Sequence, residues 1–164
     1  MLYDLATNEQ KEILKNSYDI KPFNIQTITL ERIFIDKLFA AESYVRKSND
    51  QHRAFEAAKH IYDLTVLSKE QKILNLLSNL EKIKNLLAIR IEEELNRHDG
   101  IPGILPKDFI FFNTIKNNNE VRSAYSIMQK QYVLREKDKI EFDDACDAVG
   151  FLNKKLSENS SWNS

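Results

Sequence analysis

A mainly α fold is predicted by three features of the sequence: few turn-forming residues, apolar side chains recurring at steps of three and four, and helix-start signals ahead of most of those stretches. Only 3 Gly and 3 Pro occur in 164 residues. Strands joined by tight turns draw on both residue types, so their scarcity favours long helices. The expected architecture is a helical bundle of about six helices, with one short extended or edge-strand segment near the N-terminus.

The elements follow in order. Thr7 and Gln10 form a capping box that opens a helix over 7–17. Residues 18–28 (YDIKPFNIQTI) differ in character: Pro22 bars a helix interior, and Ile25 and Ile28 are β-branched. An extended segment is expected there, and it needs a sheet to join. Thr29 caps a helix over 30–47 whose apolar residues Leu30, Ile33, Phe34, Leu38 and Ala41 are joined by Ile35 and Phe39 on another side. A helix apolar around most of its circumference is a central one.

Ser48 with Gln51 reads as a second capping box, opening a helix over 51–66 with a narrow face of Ala54, Ala58, Ile61 and Thr65. Ser68 with Gln71 repeats the signal ahead of an apolar series from Ile73 to Leu95, long enough that a kink or break is expected within it. The stretch DGIPGILP (99–106) holds two of the three Gly and two of the three Pro and is the clearest break in the chain. The Asn cluster 117–119 marks a turn or helix start, and two further helices are expected near 119–135 and 140–157. The division of the chain is therefore 1–98, a loop or boundary at 99–106, a C-terminal helical subdomain at 107–157 and a disordered tail at 158–164.

Composition narrows the function. A net charge of -1 argues against a strong non-specific grip on nucleic acid or anionic membrane, while leaving room for a local basic face. One cysteine, Cys146, excludes internal disulfides and cysteine-built zinc sites and reads as a small buried residue. No apolar run reaches membrane-spanning length and no signal-peptide pattern opens the chain, so no membrane partner is expected and the cytoplasm is the expected location. Walker A, Rossmann glycine, G-x-S-x-G and H-E-x-x-H patterns are all missing.

The candidate residues lie on two helices. Lys37 falls four residues after Ile33 and three after Phe34, inside the apolar stripe. It reads either as an edge lysine with its stem on the core and its head in water, or as a cation awaiting an anion such as a phosphate. On the next helix Lys59, His60 and Asp63 share a side. They read as a solvated polar face or as a His–Asp pair in which Asp63 raises the His60 pKa. His52 and His98 are not at helical ligand spacing from His60, so no metal cluster forms there. Arg53 and His60, seven apart on one face, resemble the Arg-x(4–6)-His pattern of HEPN-type ribonucleases. In such a metal-independent ribonuclease His60 would be general acid/base and Arg53 would stabilise phosphate charge. Ala54 stands where that family usually carries a polar residue.

Three stretches together resemble the C-terminal half of AbiEii/AbiGii-type nucleotidyltransferases, toxins of bacterial toxin–antitoxin and phage-defence (abortive infection) systems. They are KPFNIQTI running into TLERIFIDKLFAAE (21–42), FEAAKHIYDLTVL (55–67) and IRIEEELNRHDGI (89–101). The resemblance implies that residues 1–98 form the helical half of a nucleotidyltransferase cleft, with Lys37 at the phosphates of an NTP, Asp63 as an active-site carboxylate and His60 at the substrate. It further implies transfer of nucleotides to an RNA acceptor, a cognate antitoxin and Mg2+ held by paired acids in an N-terminal sheet domain. Those acids have no counterpart in residues 1–28, where Asp4, Glu9, Glu12 and Asp19 stand in no D-x-D arrangement. The chain is then a piece of a longer protein, the product of a shortened gene, or one partner of a chain that supplies the sheet domain, and it is expected to be inactive by itself. The Lys37 charge is expected to lack a partner here, the orphan strand to need an upstream sheet. A helical interaction module without chemistry is the third reading.

Overall fold

A computed structural model describes residues 7–17, 27–98 and 100–158. The extended segment expected over 18–28 falls mostly outside them, as do residues 159–164 of the tail expected to be disordered. Among the described residues there are eight α-helices and no strand: α1 (Asn8–Ser17), α2 (Leu30–Arg46), α3 (Gln51–Leu67), α4 (Gln71–Leu77), α5 (Leu80–Glu94), α6 (Phe111–Thr114), α7 (Asn119–Tyr132) and α8 (Phe142–Ser157). The mainly α class holds, with two more helices than expected. One arises because the long series from Ile73 breaks at Ser78–Asn79, where the Asn79 side chain accepts from the Lys82 amide at 3.0 Å and starts α5. The other is the single turn α6. No helix among the described residues is long and apolar enough to cross a membrane.

The first cap is as expected: the Thr7 amide donates to Gln10 Oε1 at 2.9 Å and the Gln10 amide to Thr7 Oγ1 at 3.3 Å. Thr29 caps α2. The boxes at Ser48 and Ser68 do not form. Asp50, nearer the helix and charged, takes the Arg53 amide at 2.8 Å, and Ser48 donates instead to the Val45 carbonyl. The Ser68 hydroxyl donates to the Thr65 carbonyl at the end of α3. A carboxylate at the N-cap gains from the helix dipole as well as from the hydrogen bond, which a serine two residues earlier cannot match.

α2 is buried on several sides, through Phe34, Ile35, Leu38, Phe39, Ala41 and Val45. It packs on α3, α4, α5 and α6. α3 packs on α2, α7 and α8, with Ala54, Ala57, Ala58, Ile61 and Leu64 buried. Residues on both sides of the 99–106 loop share one apolar core, from Phe34 and Ile61 to Val149 and Leu156. Within that loop Gly100 lies against α5: a Cβ there would meet the Glu94 carbonyl oxygen at 2.5 Å.

Two charged clusters tie the loops to the helices. Arg90 is buried against Phe39, its guanidinium 5.2 Å from the ring centroid, and pairs with Glu94 and with Asp36 at 3.2 Å. Glu94 also accepts from the Ile101 amide at 2.6 Å. Glu42, fully buried in α2, accepts from the amides of Ile110 and Phe111 at 3.0 Å each and pairs with Arg46, whose guanidinium donates to the Asp108 carbonyl at 2.7 Å. Truncating Glu42 strands the buried Phe111 amide, the partly buried Ile110 amide and the Arg46 guanidinium. Glu42→Ala should cost about 3 kcal/mol, a fall of roughly 6–12 °C in the calorimetric unfolding temperature. A fall under about 2 °C would mean that water replaces the carboxylate at no cost.

Candidate active site on helices two and three

The site begins with the periodicity of α2 and α3. With Phe34 and Leu38 committed to the core, Lys37 emerges at its edge, 29% exposed. With Ile61 and Leu64 fully buried on α3, Tyr62 and Asp63 emerge on its flank. The two edges face each other, and Lys37 Nζ lies 2.6 Å from Asp63 Oδ2. This corrects the expectation that the Lys37 charge lacks a partner within the chain. The pairing was hidden because spacing along one helix says nothing about which helix comes alongside.

His60 sits on the buried side of the same cluster. Its ring stacks on Tyr44 at 5.5 Å, and its Nδ1 is buried without a hydrogen-bond partner. Burial first, and the Lys37 cation second, push the imidazole down to about 4; Asp63 acts in the opposite direction and is outweighed. The expected raising of His60 by Asp63 is therefore reversed, because Asp63 is committed to Lys37 and the ring is taken out of water.

Lys37 and Asp63 open into a groove of about 720 Å³ lined also by Tyr62, Lys69, Arg135 and Lys137. Asp138 lies in the same wall, so four cations face two carboxylates. The volume is that of a small-molecule site. Its far wall is the connection between α7 and α8, with a turn of 3₁₀ helix at Glu136–Asp138. Tyr62 fastens that wall by donating to the Asp138 carbonyl at 2.9 Å. Gln129 fastens its end through two bonds to the backbone of Ile140, one to its carbonyl and one from its amide. A net charge of -1 thus coexists with a locally cationic groove.

Of the residues singled out from sequence, the fold brings together Lys37, His60 and Asp63. Arg53, at the first turn of α3, lies 3.5 Å from Asp50 and about 10 Å along the helix axis from His60. Lys59 pairs with Glu56 at 3.0 Å, which raises its pKa. Cys146 is buried, and burial pushes its thiol up to about 11, as an inert core residue requires. Lys69, Arg135 and Lys137 were missed. No sequence signal points to the last two, which reach Lys37 only through the packing of α7 and α8 on α3.

The magnesium that the resemblance implies finds no donor set here. No group of three or more His, Cys, Asp or Glu among the described residues could hold a metal ion, and Asp63 faces a cation instead. The geometry serves anion binding: an ammonium positioned by a carboxylate and flanked by further cations.

A comparison with curated proteins and one with solved structures each found no match. A family model described as "Nucleotidyl transferase AbiEii toxin, Type IV TA system" matches residues 4–148, which include every residue of the groove. The chain belongs to the AbiEii family of nucleotidyl transferase toxins of Type IV toxin–antitoxin systems.

Proposed function

We propose that this chain forms the phosphate-binding helical wall of a nucleotidyl-transfer cleft, taking a nucleoside triphosphate for transfer to an RNA acceptor. The observation that carries the reading is the Lys37–Asp63 pair at the mouth of a cationic groove. The ammonium has three donors and gives one to Asp63, leaving two for phosphate oxygens. Asp63 holds Lys37 extended into the groove while the site waits. An arriving phosphate, more highly charged than a carboxylate, competes for the same nitrogen. His60, held neutral at pH 7, adds no charge beside it. On this reading the metal-binding carboxylates come from protein outside the described residues, the chain alone carries out no transfer, and a cognate antitoxin is its partner in the toxin–antitoxin system.

The pair itself contributes little to folding, because both groups are partly exposed, at 29% and 38%. Lys37→Met should lower stability by no more than about 1 kcal/mol. The same change should weaken binding of a ribonucleoside triphosphate to the 164-residue chain by more than about tenfold, as a lost charge-assisted bond requires. Calorimetric titration and chemical denaturation read the two effects. Strong destabilisation with unchanged nucleotide affinity would make Lys37 a structural cation.

His60 gives a second test. Its folded pKa lies near 4, below the ordinary 6.5. The unfolded state therefore binds the proton first as pH falls, so this group's stability is fully present above about pH 6.5 and is lost through the window down to about 4. Glu56, Lys59, Lys37 and Asp63 all act on the ring, so the comparison must hold them constant. His60→Phe keeps the stack on Tyr44 and removes the proton. Between pH 6.5 and 4 the parent should lose more unfolding free energy than His60→Phe, by at most about 3 kcal/mol. Parallel profiles would show that His60 is not held neutral by burial.

A further inference from the structure

The groove does not end at Lys37. It continues past Tyr62, Asp63, Arg135 and Asp138 into a second lobe of about 440 Å³, lined by Lys59, Tyr132 and Leu134. The character of the wall changes along the way. To the shared wall the first lobe adds Lys37, Lys69 and Lys137 among apolar residues such as Ile33 and Ile140, whereas the second adds the Tyr132 ring and the Leu134 side chain. Tyr132 is 59% exposed and Leu134 is 93% exposed, the most exposed large apolar side chain among the described residues.

Tyr132 is nevertheless held in place. Its ring tilts against Phe55 with centroids 5.7 Å apart, and Lys59 Nζ lies 5.1 Å from its centre. Lys59 is in turn fixed by Glu56. The ring is thus positioned before any ligand arrives, which lowers the entropic cost of stacking on it. A ligand that fits both lobes has a polyanionic end and a flat aromatic end.

Resting on the phosphate-binding reading above, we infer that Tyr132 is the stacking platform for the base of the bound nucleotide, with Leu134 covering its edge and Arg135 at the junction of base and phosphate lobes. A π-face accepts any base, so the platform adds affinity for nucleosides over bare phosphate and selects weakly among bases.

The test compares ATP with inorganic tripolyphosphate, which has the same phosphate chain and no base, by calorimetric titration of the 164-residue chain. The parent should bind ATP more tightly than tripolyphosphate. Tyr132→Ala should weaken ATP binding by about tenfold and leave tripolyphosphate affinity unchanged. Tyr132→Phe, which keeps the ring, should bind ATP like the parent. Arg135→Ala should weaken both ligands. The inference is overturned if Tyr132→Ala binds ATP as the parent does, if it loses both ligands equally, or if Tyr132→Phe is as impaired as Tyr132→Ala. If Lys37→Met retains tripolyphosphate while the Tyr132 contrast persists, the phosphate assignment of Lys37 fails alone. If the parent binds neither probe, both fall.

Discussion

The arrangement depends on α3 lying between α2 on one side and α7 and α8 on the other. Its inward residues Ala54, Ala57 and Ala58 are fully or almost fully buried and small, so backbones come close with no side-chain entropy lost. Enlarging any of them would overpack the seam and force the flanking helices apart. Once that face is committed to the core, the 3.6-residue period leaves Tyr62 and Asp63 on the remaining flank, where Lys37 from α2 and the α7–α8 connection converge. The groove is a consequence of core packing, and its chemistry is what α3 could not bury.

Electrostatics inside this frame are competitive. Lys37 is too buried to be left unpaired at no cost, yet too exposed for its bond to Asp63 to be permanent. An anion-binding lysine benefits from that balance: a carboxylate keeps it oriented, and a phosphate can displace the carboxylate without exposing a dry core. The buried Glu42 and Arg90 are the opposite case. Glu42 is tied to the amides of Ile110 and Phe111 and to Arg46, and Arg90 to Asp36 and to Glu94, whose carboxylate accepts from the Ile101 amide; together they hold residues 101–111 against α2 and α5.

Much of this was legible in the sequence, and the part that was not has a common cause. The helical class, the Thr7 and Thr29 caps, the central place of α2 and the break in the long apolar series all follow from local propensity and periodicity, which act within one or two turns. The caps at Ser48 and Ser68 were misread because Asp50 and the α3 terminus compete for the same groups at closer range. Lys37 and Asp63 stood out through the stripe and through family resemblance, but their contact, the lowering of His60 and the arrival of Arg135 depend on which helices become neighbours. The extended segment before Thr29 lies largely outside the described residues.

The central claim is that Asp63 holds Lys37 for a phosphate rather than sharing in its binding. The most direct measurement is the tripolyphosphate affinity of Asp63→Asn at low ionic strength, where exposed charges are least screened. Removing the competing carboxylate frees the Lys37 ammonium and takes a negative charge from the groove, so the account predicts binding as tight as the parent's or tighter. Weakening of about tenfold or more in a variant that remains folded would contradict it, and would make Asp63 a direct part of the anion site.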